Sequence, residues 1–184
     1  MIITGIAHPP ERLHERGPLP SPELIYLAKM ALKEYEATHL VTSLEPGWDQ
    51  ALVKAAIELN IAFTVAIPFP GRDTALERES RLLYLDLLAR AREVYRISEC
   101  YNSTAWIDCH CWRVDQSGAV LALWEYEFSG ETFKVMDYAL KNDRQVINLW
   151  EDWFHLFNLR KKNSSLYTPR RSRGAQVFDG KRQN

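Results

Sequence analysis

Short apolar runs alternate with stretches of helical periodicity along this chain. Residues 2–5, 39–43, 62–67, 94–97, 119–124 and 145–149 read as strands, each a brief run rich in aliphatic and β-branched side chains. Between them the apolar spacing changes to a helical period. Ser21-Pro22-Glu23 opens the first helix: serine caps it, proline suits its first position, and glutamate meets the positive end of its dipole. Leu24, Leu27, Ala28, Ala31, Leu32 and Tyr35 then fall on one buried stripe. The same spacing predicts helices over 49–59, 74–92, 104–116 and 131–141.

Strand runs that lack polar alternation, most clearly 62–67 and 119–124, imply strands buried on both faces. Their alternation with helices predicts an α/β fold: a Rossmann-like, doubly wound, mostly parallel sheet of about six strands with helices on both faces. Ligands of such sheets bind beyond the carboxyl ends of the strands, where strand order reverses. The segments that matter for function are therefore 5–10, 43–49, 68–73, 98–104 and 125–132.

Composition narrows the class further. The 184 residues are 46% hydrophobic and 26% charged, an ordinary globular mixture that excludes a wholly disordered, collagen-like or disulfide-scaffold chain. No apolar run approaches the ~20 residues of a membrane span, and residues 1–5 carry no basic leader. A soluble, cytoplasmic protein without a membrane partner is expected. Three cysteines, Cys100, Cys109 and Cys111, fit a reducing compartment.

Charge is unevenly spread. Residues 159–184 hold eight basic side chains against one acidic, a net of +7, which leaves −8 on the rest. The chain thus divides into a domain over 1–158 and a basic tail over 159–184, the tail open to nucleic acid or an acidic partner. The apolar stretch from Trp150 to Leu159 either packs back on the domain or joins two copies, so a homo-oligomer stays open.

Two strand-end loops run strand–glycine–helix: Thr42-Ser43-Leu44-Glu45-Pro46-Gly47-Trp48-Asp49, and Phe128-Ser129-Gly130-Glu131-Thr132-Phe133. Glycine permits positive φ and close backbone approach, and the following helix aims free N–H groups back at the loop. Such loops also merely turn the chain. With Ile3-Thr4-Gly5, Ala66-Ile67-Pro68-Phe69, Trp112-Arg113-Val114-Asp115-Gln116-Ser117, Ala122-Leu123-Trp124 and Tyr138-Ala139, they form a collinear series over about residues 2–150. In that order and spacing the chain resembles the YpsA branch of the SLOG superfamily, which also holds DprA and the LOG enzymes.

The resemblance implies a Rossmann-like sheet that binds a nucleotide or nucleotide-derived small molecule without an assigned reaction. The implied ligand-binding residues are Thr4, Gly5, Ser43, Gly47, Trp48, Asp49, Pro68, Ser129, Gly130, Glu131 and Thr132. LOG relatives hydrolyse nucleoside monophosphates with an arginine and a glutamate, and DprA relatives bind single-stranded DNA. A LOG-like phosphoribohydrolase and a nucleic-acid or protein partner held by the tail are thus the alternatives.

The departures point away from hydrolysis. The family's glycine pair in the first loop is Thr42-Ser43 here, its Gly-Gly-Thr is Gly130-Glu131-Thr132, and Cys109-His110 stand where Arg-Asn is usual. Glu131 stabilises a helix start by ~0.3–1 kcal/mol. A phosphate ~4 Å away would repel it by ~4 kcal/mol at an effective dielectric of ~20. A phosphate in the usual family position is therefore disfavoured.

The remaining chemistry is sparse. Cys109-His110-Cys111 has zinc-ligating residue types, but positions i and i+2 of a helix point to different sides and no second pair follows. The thiols read as small buried hydrophobes, and neither metal nor cofactor is expected. No catalytic residue is assigned, since His110, Asp108 and Asp115 have no partner fixed by spacing. His8 and His14 read as a polar surface loop. Trp48 reads as core or as a base-stacking ring.

Overall fold

Along strand β5 (Ala119–Leu123) every residue is buried, and the side chains divide by parity. Ala119, Leu121 and Leu123 enter one core, whereas Val120 and Ala122 enter the other. The structure, a computed structural model that describes residues 1–15 and 17–166, sets β5 within a sheet of six parallel strands. They are β1 (Ile2–Ala7), β2 (His39–Thr42), β3 (Ala62–Ile67), β4 (Glu93–Arg96), β5 and β6 (Gln145–Asn148). Their spatial order is β4-β3-β2-β1-β5-β6, so the order reverses between β1 and β5. The expected α/β Rossmann-like, doubly wound sheet is what the chain forms.

Helices α1 (Pro22–Glu34), α2 (Trp48–Glu58), α3 (Arg78–Ala89) and α6 (Trp150–Leu166) contribute to the larger core. Helices α4 (Ala105–Asp115) and α5 (Gly130–Lys141) close the opposite face through Val114, Val135, Met136 and Ala139. The start of α1 forms as its sequence dictates: Ser21 accepts from the Leu24 N–H at 3.3 Å, and Pro22 sits in the first turn.

Two elements differ from expectation and a third follows one of its two expected courses, each for a local reason. The helix expected over 74–92 is broken. Arg72–Ala75 form a separate 3₁₀ turn, in which Thr74 Oγ1 donates back to the Gly71 carbonyl at 2.7 Å, and Leu76 turns extended before α3 begins. Strand β4 is exposed throughout because it is the sheet edge, with no strand beyond it. The apolar stretch at 150–159 packs back on the domain as α6: Trp153 and Phe157 are buried, and the Trp153 indole N–H donates to the Leu13 carbonyl at 3.2 Å. That helix continues past residue 158, and Arg160 lies 3.8 and 3.7 Å from the carboxylates of Glu15 and Glu23. The remainder of the basic tail, 167–184, lies outside the described residues. Among the described residues no helix is long and apolar enough to cross a membrane.

Gly5 sets the distance between β1 and α2. A Cβ built there would lie 2.3 Å from Leu52 Cδ1 and 3.2 Å from both Asp49 Oδ1 and Trp48 Cδ1. The bare backbone lets the first turn of α2 rest directly on the strand. Gly5→Ala should lower stability by about 1–3 kcal/mol through overpacking. A urea midpoint that falls with an unchanged slope checks this; an unmoved midpoint contradicts it.

Candidate functional site

The order reversal between β1 and β5 opens a cleft of about 530 Å³ at the carboxyl ends of the strands. Its walls come from the loops after β1, β2, β3 and β5, with His110 and Arg113 of α4 beneath. Of the residues expected to bind ligand, Gly5, Trp48, Asp49, Ser129, Gly130, Glu131 and Thr132 line it. Thr4 and Ser43 lie below it as supports. Gly47, at φ +86° and close against Pro10, lines an adjoining cleft of about 400 Å³ instead. Pro68 is buried at the end of β3, where its carbonyl accepts from the Ser98 N–H at 3.1 Å. Trp48 is 2% exposed, and its indole N–H donates to the Leu121 carbonyl at 2.9 Å, so the ring is core.

The floor is built on one arginine. Arg113 is 1% exposed and uses all five of its N–H donors. Nε donates to Thr4 Oγ1 at 3.2 Å; one terminal nitrogen donates to Ser43 Oγ at 2.6 Å and His110 Nδ1 at 3.2 Å; the other reaches the Gly5 carbonyl and Asp49 Oδ1, the latter at 2.9 Å. The second Asp49 oxygen accepts from Thr42 Oγ1, the Ser43 N–H and Ser43 Oγ at 2.9–3.1 Å. Both charges are therefore compensated in place, as buried charges must be.

Two neutral histidines adjoin this floor. Arginine only donates, so His110 Nδ1 is the acceptor and its proton resides on Nε2, 3.5 Å from Glu45 Oε1. Burial pushes the His110 pKa below the ordinary histidine value, with the neighbouring Arg113 adding to the effect and Glu45 opposing it. His8 is not on a surface loop: it is 5% exposed and its Nε2 accepts from the Glu125 N–H at 3.2 Å, joining the ends of β1 and β5. Burial, then Arg12, lowers its pKa as well.

Cys109 is also core. Its thiol donates to the Ala66 carbonyl at 3.5 Å, and burial pushes its pKa up to about 12, which leaves it inert as a nucleophile. No group of three or more His, Cys, Asp or Glu side chains placed to hold a metal ion occurs among the described residues.

Arg12 and Arg72 supply the other cations of the cleft. Arg12 bridges the mouth to Glu127 and to Glu125, the latter at 3.2 Å. Arg72 is 8% exposed and lines the wall below β3, its guanidinium carbon 4.6 Å from the centroid of Trp106. Among the described residues it makes no hydrogen bond and no ion pair, and its Nε is buried without a partner. After the pairings of Arg113 with Asp49 and Arg12 with Glu127, one bare cation, Arg72, faces the carboxylates Glu11, Glu45 and Glu131.

Sequence reasoning missed both buried arginines. A signal for Arg113 was present: Ala105, Cys109 and Arg113 recur every four residues and are all buried on α4. For Arg72 the only signal was its place in the strand-end segment 68–73.

The fold and this cleft define a Rossmann-like α/β chain with its crevice at the topological switch point. The chain matches no protein-family model and no curated protein. Among solved structures it is similar to DNA processing protein A from Helicobacter pylori, whose description concerns its mode of binding single-stranded DNA. The similarity covers 88% of this chain and 81% of that one, at 13% identity and a TM-score of 0.48.

Two outcomes test the floor. Arg113→Met strands the Asp49 carboxylate and should cost about 3–5 kcal/mol in urea denaturation. Combining it with Asp49→Ala should cost less than the two single changes added together, with a coupling of about 0.5–3 kcal/mol; additive losses contradict the pairing. The lowered pKa values of His8, His39 and His110 mean that the folded state favours the neutral rings. Their contribution is full above about pH 6.5, the unfolded value, and is lost as pH falls below it toward the folded values. His110→Gln should flatten that acid slope relative to the unaltered protein.

Proposed function

We propose that this chain is a small-molecule binding module of the SLOG type whose ligand is a nucleotide or a nucleotide derivative. The supporting observation is the cleft itself. It lies beyond the strand ends where sheet order reverses, and its walls include parts of two of the loops that carry the YpsA-like resemblance. Carboxylates at Glu11, Glu45 and Glu131 suit a ligand rich in donors, such as a ribose diol or the amino edge of a base.

N-glycosidic hydrolysis is the second reading, favoured by the Glu45 carboxylate that faces both the cleft and His110 Nε2–H. A thermal-shift panel of nucleosides, nucleotides and dinucleotides tests the first reading and, assayed for released base, the second. A true ligand at ~100 times its Kd adds ~2.7 kcal/mol, a rise of several degrees for a chain of this length. A panel without any shift, on folded protein, removes the binding reading. Intact nucleotides after prolonged incubation remove the hydrolytic one.

A further inference from the structure

We propose that Arg72 is the anion-binding residue of the cleft and that it takes the phosphate monoester of the ligand on the β3 side, away from the start of α5. The ligand's identity rests on the nucleotide reading above; the anion contact stands or falls separately.

The two buried arginines of this cleft make the case. Arg113 has every donor filled by protein, whereas Arg72, nearly as deep, has none filled among the described residues. A largely buried arginine whose Nε has no partner and which lines a cleft is placed to take its counter-charge from outside the chain. Arg72 is also held in position without a polar partner. Gly71, at φ +78°, turns the chain into the 3₁₀ segment, and the guanidinium lies against Trp106, whose ring Phe69 meets edge-on at 5.6 Å. A guanidinium set over an aromatic ring keeps its N–H donors for another acceptor, and its planar fork suits phosphate oxygens.

The opposite wall is unsuited to an anion. Glu131 occupies the first turn of α5, and Glu127 stands in the loop before it. Strands β3 and β5 are three strand spacings apart, about 14 Å, so the two walls define the two ends of a ligand. The dianionic end belongs at Arg72, and the hydroxyl-bearing end belongs by Glu131.

The test uses the full chain. The Arg72 Nε–Hε resonance is assigned by its loss in Arg72→Gln and followed while inorganic phosphate, and separately acetate, is titrated. In parallel, nucleosides and their 5′-monophosphates are titrated calorimetrically into the unaltered protein, Arg72→Gln and Glu131→Gln. The proposal expects a saturable shift of that resonance with phosphate and a monophosphate preference of about 10- to 100-fold. The preference should disappear in Arg72→Gln, with nucleoside affinity kept, and persist in Glu131→Gln. Free of ligand, Arg72→Gln should melt at or above the unaltered protein, since it removes an unpaired buried charge; a structural arginine would give the reverse.

A resonance unmoved by phosphate overturns the proposal, as does a preference that survives Arg72→Gln. A shift with acetate as strong as with phosphate overturns the phosphate assignment. If phosphate moves Arg72 but no nucleoside or nucleotide binds, the nucleotide reading falls and the anion site stands. If nucleosides bind and phosphate leaves Arg72 unmoved, the anion site falls and the reading stands.

Discussion

The guanidinium of Arg113 joins the carboxyl ends of β1 and β2 to the first turn of α2 from its place on α4. From α4 it reaches Thr4 and the Gly5 carbonyl on β1, Ser43 beyond β2, and Asp49 in the first turn of α2. Removing two such charges from water is expensive, and the arrangement is tolerable because every guanidinium proton and both carboxylate oxygens find partners. Asp49 meets this condition by accepting from the Thr42 hydroxyl and from both donors of Ser43 as well. Gly5 meets it differently, by having no side chain to hold α2 off the strand. The floor of the cleft is thus held by the protein's own groups.

How much of this the sequence disclosed follows from the range of each interaction. Strands 62–67 and 119–124 lack polar alternation, Thr64 being their one polar residue, because both faces are covered, and that signal is local. Ser21-Pro22-Glu23 likewise marks its own helix start. The cleft's position was legible too, since strand ends follow from strand order. The pair of Arg113 with Asp49 was not: its members lie 64 positions apart, and the four-residue recurrence of Ala105, Cys109 and Arg113 marks a helix face without naming a partner. His8 was misread for a related reason, as its burial depends on the Glu125 N–H, which lies 117 positions away.

Glu131 shows where local and tertiary readings agree. From sequence alone its charge argues against a phosphate at the start of α5, and the structure leaves the carboxylate facing the cleft with no cation against it among the described residues. The tertiary contribution is the other half of the picture: a bare cation on the far wall, invisible in a proline-rich turn. Trp48, read from sequence as core or as a base-stacking ring, fills the interior beneath β5 and borders the cleft.

Arg12, the clasp between the lips formed by the loops after β1 and β5, has a kinetic corollary. It and both its glutamate partners are largely exposed, and pairs of that kind are worth at most about 1 kcal/mol. Thermal agitation alone undoes such a clasp many times over during any slow binding event. Passage into the interior is then governed by diffusion and ionic strength rather than by a concerted rearrangement of the domain.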